Sequence, residues 1–200
     1  MNIDEAKKIA GKLSHTSKMP CASWGIPAKY CETGGHLRKI PGTVCEKCYA
    51  QKGSYNYPNV KSAGELRYKG ITHPKWAEAM VVLIKDATKL SVPYFRWFDS
   101  GDLQGEKHLD DIVWIAEQLP IVKFWLPTHE LDLVRGRKFP ENLTVRVSAV
   151  MMGDAEPKYE LTSTVVKEGA TCLAGQQENQ CLDCRKCWDK GVKNVSYKAH

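Results

Sequence analysis

Apolar and polar residues follow one period up to Lys89 and another after it. The segment Asp4–Leu13 places Ile9, Ala10 and Leu13 on one side of a short helix, with acids in its first turn. Helical spacing returns at Val60–Lys69 and at Pro74–Lys89, where Trp76, Met80, Leu83, Ile84 and Ala87 form a stripe that predicts packing on a core. The text then shortens its period. Tyr94–Phe98, Val122–Leu126 and Leu143–Val150 are rich in aromatic and β-branched residues and read as strands. The amphipathic segment Glu106–Leu119, stopped by Pro120, lies between the first two, and a helical pattern at Glu130–Arg137 lies between the second and third. Leu161–Val166 adds a further candidate strand. Strands alternating with helices imply parallel βα units. The expected fold is α/β, a partial, half-open βα barrel of about four or five parallel strands with cysteine-rich loops at both ends of the chain. Residues 1–168 form the barrel, including a cysteine loop at 14–58, and 169–200 form a metal-binding appendage packed on it.

The stretch from Ser14 to Pro58 changes that picture, because it holds five glycines, four prolines and four cysteines and no long periodic segment. A loop of that length in a compact domain calls for a reason, and metal ligation supplies one. The start of the chain has two acids and no apolar block of signal-peptide length, which predicts a protein that stays in the cytoplasm. In a reducing compartment eight clustered cysteines point to metal or redox chemistry rather than to structural disulfides. With 42% hydrophobic and 26% charged residues and a mean hydropathy of -0.42, the composition is that of an ordinary soluble protein without a membrane span. The formal charge of +6 would suggest nucleic acid as a partner. Four thiolates around a dication leave roughly -2 per site, so two such sites would lower the charge to about +2 and weaken that suggestion.

Cys172, Cys181, Cys184 and Cys187 are written C-x8-C-x2-C-x2-C. Thiolates three residues apart on tight turns can converge on one inorganic centre, and the run resembles that of bacterial ferredoxins, although the fourth cysteine lies upstream. Zinc held by four cysteines is the alternative. The second set is Cys21, Cys31, Cys45 and Cys48, with Gly34-Gly35, Pro41-Gly42 and Gly53 around it as loop chemistry that lets a chain wrap a centre. Cys31 is the expected third ligand beside the Cys45/Cys48 pair. Cys21 is either a fourth ligand or a buried free thiol. The cofactors expected are therefore one or two iron–sulfur clusters of the 4Fe–4S type, with zinc as the alternative.

Polar residues cluster just after two predicted strands. Asp99, Ser100 and Asp102 follow YFRWF, and His129 and Glu130 follow VKFWL, so they should share one rim and could line a catalytic pocket. Each also has a plain structural use, Asp99 or Asp102 as a helix cap and His129 and Glu130 as the opening of a helix. Arg96, Arg146 and Ser148 interrupt apolar strands, and a buried Arg96 would need a carboxylate or anion. Tyr49, Tyr55, Tyr57 and Trp24, interleaved with Lys47, Lys52 and Lys61, could stack on single-stranded nucleic acid or shield a metal from water. Trp188, Val192, Val195 and Tyr197 should fold back onto the barrel. No nucleotide-binding, dinucleotide-binding, zinc-protease or serine-hydrolase motif is present.

Four phrases, Ser17-Lys18-Met19-Pro20, Cys45-Glu46-Lys47-Cys48-Tyr49-Ala50, Phe95 through Asp102, and Cys181 through Trp188, together resemble the gene product 88 family of bacteriophage proteins. The cysteine loop and the βα units that follow also look like a shortened relative of radical S-adenosylmethionine (SAM) enzymes, which space their three cluster cysteines more closely. That resemblance implies SAM as a candidate cofactor, with Ser100-Gly101-Asp102 in the position of a motif that holds its amino group. Three functions follow from these readings. The first is an iron–sulfur protein acting in redox or radical chemistry on an unknown substrate, served by an electron donor. The second is a zinc-stabilised module binding nucleic acid or protein. The third is a phage protein directed at a host partner, in the host cytoplasm.

Overall fold

The computed structural model describes residues 1–89, 93–153 and 155–199. The first helix, α1 (Ile3–Ala10), opens with a capping box. The Asn2 side chain accepts from the Glu5 N–H at 2.9 Å, and the Glu5 carboxylate accepts from the Asn2 N–H at 3.0 Å. It stops at Gly11, whose φ of +74° favours glycine, three residues short of the stretch that periodicity suggests. Then come β1 (Ser23–Trp24), α2 (Glu32–Leu37), α3 (Pro58–Gly70), α4 (Trp76–Thr88), β2 (Tyr94–Trp97), α5 (Glu106–Gln118), β3 (Lys123–Thr128), α6 (Leu131–Val134), β4 (Leu143–Ser148), β5 (Thr162–Val166) and β6 (Asn194–Lys198).

The strands form one six-stranded sheet in the order β1-β2-β3-β4-β5-β6, every pair parallel, with β1 and β6 at its unjoined edges. The sheet is not closed. Six strands replace the four or five expected. The two additions are β1, too short to show a period within the glycine- and proline-rich stretch, and β6, whose apolar positions alternate with serine and lysine behind the cysteines. The helix expected over Glu130–Arg137 shrinks to one turn. Its C-cap Arg135 is extended and Gly136 has a φ of +73°.

Alternation along the strands sorts side chains onto two faces. Phe95, Trp97, Phe124, Leu126, Leu143, Val145 and Val147 meet Trp76, Met80, Leu83 and Ile84 of α4 and Leu109, Ile112 and Ile115 of α5 in one apolar core. Each such side chain stabilises the fold by roughly 1.5–3 kcal/mol through burial. Trp24 belongs to this core, fully buried and edge-on to Trp76 and Trp97. It is therefore not a platform for nucleic-acid bases.

The other face carries Arg96, Trp125, Thr144 and Arg146, and the connection between β5 and β6 covers it. Trp188 sets its ring edge-on to Tyr94 and Trp125, and its Nε1 donates to the Phe95 carbonyl at 2.9 Å. Arg146 is fully buried and its guanidinium donates to five carbonyls, those of Thr162, Lys186, Cys187, Asp189 and Lys193. That charge fastens the cysteine-rich tail to the sheet through backbone oxygens alone.

Candidate metal centres

The loop between β1 and α3 lies over the ends of the strands. Cys31 precedes α2 as its N-cap, and Cys45 and Cys48 share a tight turn in which the Cys48 N–H donates to the Cys45 carbonyl at 3.2 Å. The loop is pinned at several points. Val44 N–H donates to the Val150 carbonyl at 3.0 Å, and the Thr33 hydroxyl donates to Glu130 at 2.7 Å. Tyr49 and Tyr55 both donate to the Asp99 carbonyl, at 2.7 and 3.2 Å. Thr33, which holds Glu130, gave no signal in the sequence.

Gly34 sits between two of the thiols. A Cβ added there would stand 3.1 Å from Cys31 Cβ, 3.6 Å from Cys45 Sγ and 3.7 Å from Cys31 Sγ, so glycine lets the helix start lie close against both cysteines. Cys45 Sγ is 3.8 Å from His129 Nε2. Burial, with the neighbouring thiols and Asp102 adding to it, pushes Cys31 up to about 12 and Cys45 to about 11. Without a cation these groups are neutral thiols, and ligation would deprotonate them.

The rim residues divide by task. Asp102 is buried and reaches back to the end of β3, accepting from the Thr128 hydroxyl at 2.6 Å, the His129 N–H at 2.8 Å and the Leu103 N–H at 2.8 Å. Burial raises its pKa to about 7 in spite of these donors. It does not cap α5, whose N-cap is Gly105 without a side-chain bond. Nor does Asp99, which accepts from Ser23 at 3.2 Å through one carboxylate oxygen while the other is buried without a partner among the described residues. Ser100 donates to the Ile26 carbonyl at 2.8 Å, and Gly101 (φ +84°) lies so close to Ile26 that a Cβ would meet its side chain at 2.3 Å. Both serve to seat β1 against β2. Burial lowers His129 to about 4, which keeps its imidazole neutral. A cleft of about 230 Å³ opens beside it, lined by Leu131, Val147, Ser148, Ala149 and Pro157 among others. A larger groove of about 1070 Å³ lies at the other end of the strands, among Tyr94, Lys123, Asn142 and Trp188, and no cysteine lines it.

Cys21 is not among the rim thiols. It precedes β1 whereas Cys31 follows it, and its charge neighbours are Cys181, Cys187, Arg96 and Arg185. Cys181 in turn neighbours Cys172 and Cys184. Cys187 Sγ lies 3.3 Å from the Tyr197 hydroxyl. Arg96 is half-buried, stacked 4.7 Å from the centre of Trp125, with its Nε buried and unpartnered among the described residues. Proximity along the sequence puts Cys21 beside Cys31, whereas in the structure its thiol neighbours are Cys181 and Cys187 of the tail. Among the described residues no three of His, Cys, Asp and Glu are grouped so as to hold a single metal ion.

Fold and site together define a mixed α/β protein with an open, all-parallel sheet, a thiol-bearing loop over one end of its strands and a thiol-bearing crossover on one face. The family model described as gene product 88 matches residues 2–166, and the chain belongs to that phage gene-product family. No curated protein and no solved structure matches it. No helix among the described residues is long and apolar enough to cross a membrane.

Proposed function

We propose that this protein carries iron–sulfur clusters and acts in redox or radical chemistry on a small substrate held at the ends of β3 and β4, in the cytoplasm of the phage host. The observation that carries the reading is the approach of Cys31 and Cys45 to one another at Gly34, with Cys48 adjoining. A cluster of several irons takes thiolates that stand further apart than a single zinc does. A bound cluster supplies reversible one-electron transfer. Three thiols leave one metal position for another ligand, and SAM is the candidate of that kind. In this reading Thr33 and Glu130 hold the loop against the sheet and Asp102 fixes the end of β3, while the neutral His129 faces the cleft and orients what binds there.

The test is purification without oxygen followed by metal and sulfide analysis. Iron with acid-labile sulfide and a brown colour is expected, and zinc without sulfide would replace this reading with that of a zinc-stabilised binding module. Adding SAM to the reduced protein should alter its electron paramagnetic resonance spectrum. A spectrum indifferent to SAM would remove that cofactor and leave electron transfer.

A further inference from the structure

From this geometry we infer that Cys21 is a ligand of the tail's metal centre, bridging the segment before β1 to the connection between β5 and β6, and that the rim centre has only three protein thiolates. The inference rests on the metal-binding reading above but not on which metal is bound.

Three observations converge on it. First, the chain on both sides of Cys21 is tied to the tail's surroundings. The Cys181 N–H donates to the Lys18 carbonyl at 3.1 Å, the Arg96 N–H donates to the Ala22 carbonyl at 3.2 Å, and Arg96 Nη1 lies 3.5 Å from Met19 Sδ. Cys21 is three residues from Lys18, so the chain keeps it within about 11 Å of that contact. Second, β1 divides it from the rim. In a parallel sheet the residue before a strand and the residues after it lie at opposite ends, and Ser23 and Trp24 register with Arg96 and Trp97 between Cys21 and Cys31.

The third observation is charge. Arg96 and Arg185 both lie within charge range of Cys21 and Cys181, and neither forms an ion pair with a carboxylate among the described residues. Thiolates formed on ligation would give these guanidinium groups their counter-charge, each thiol releasing its proton as the metal binds. Arg96, whose carboxylate neighbour Asp99 lies within charge range without forming an ion pair, would gain closer counter-charge. With Cys21 the tail's centre has five thiols within reach, and the inference makes Cys21 one of the four that bind.

The experiment begins with full-length protein in which Cys31, Cys45 and Cys48 are changed to Ala, so that only the tail's centre remains. Adding Cys21→Ser should lower the remaining iron at least twofold or shift its electron paramagnetic resonance signal. Iron content and spectrum that do not change would overturn the inference. Should the wild type hold zinc, the same comparison made on zinc content tests Cys21 while the iron–sulfur reading fails separately. A second measurement does not depend on a variant that folds. In wild-type protein stripped by a chelator, diamide takes up two electrons and two protons for each disulfide formed. Peptide mapping should then find Cys21 joined to Cys181, Cys187, Cys172 or Cys184. A Cys21–Cys31, Cys21–Cys45 or Cys21–Cys48 bond would overturn the inference.

Discussion

His108 is a buried imidazole surrounded by rings. It stands edge-on to Trp24, Trp76 and Phe98, and its Nδ1 accepts from the Gln104 N–H at 3.3 Å. The proton therefore sits on Nε2, which has no partner among the described residues. Burial drives its pKa from 6.5 down to about 3, with Lys107 adding a smaller push in the same direction. The sign follows from proton uptake. Between those two values the unfolded chain takes a proton that the folded chain refuses, so stability present above pH 6.5 is lost as pH falls toward 3. Denaturation followed across this range should show a loss of roughly 2–4 kcal/mol, and His108→Leu should flatten the slope. An unchanged slope in the variant would assign the acid sensitivity elsewhere. Asp102 tilts the opposite way, because its raised pKa makes it cost more as pH rises toward 7.

At the scale of elements, the strongly patterned segments were legible and the short ones were not. The stripe Trp76, Met80, Leu83 and Ile84 lies buried on α4, and YFRWF and LTVRVSAV contain β2 and β4. Those segments are long enough for periodicity to speak. A two-residue strand such as β1 has no period to read, and its existence depends on Ser23 and Trp24 finding β2 far along the chain. The placement of Cys21 was hidden for the same reason. Proximity along the sequence grouped Cys21 with Cys31, whereas β1 sends the two to different ends of the sheet. Within α2, Gly34 and Gly35 offer a test of the rim centre. Replacing either by Ala favours the helix by about 1 kcal/mol, but only at Gly34 does the new Cβ press on the Cys31 side chain, at 3.1 Å from its Cβ, and nothing lies within 4 Å at Gly35. Gly34→Ala should stay folded and lose most metal from the rim centre, while Gly35→Ala should keep it. Equal metal content in the two would show that these thiols are not a binding site.

The whole molecule is held together across its sheet by one charged side chain. Arg146→Leu would remove a donor shared by five carbonyls, of which those of Lys186, Asp189 and Lys193 keep a backbone N–H, and should destabilise the fold by about 2–4 kcal/mol. Limited proteolysis should then cut first between residues 167 and 193. Resistance equal to that of the wild type would mean that the thiols alone secure the tail. The tail's route has a further consequence. Successive strands lie side by side and parallel, with α4 and α5 packed on one face of the sheet and the β5–β6 connection covering the other. During synthesis Arg146 and Cys21 leave the ribosome well before the tail that covers them. Until β6 and the tail are made, the face that carries Arg96, Trp125 and Arg146 has no cover, so those side chains meet water first and backbone carbonyls only later.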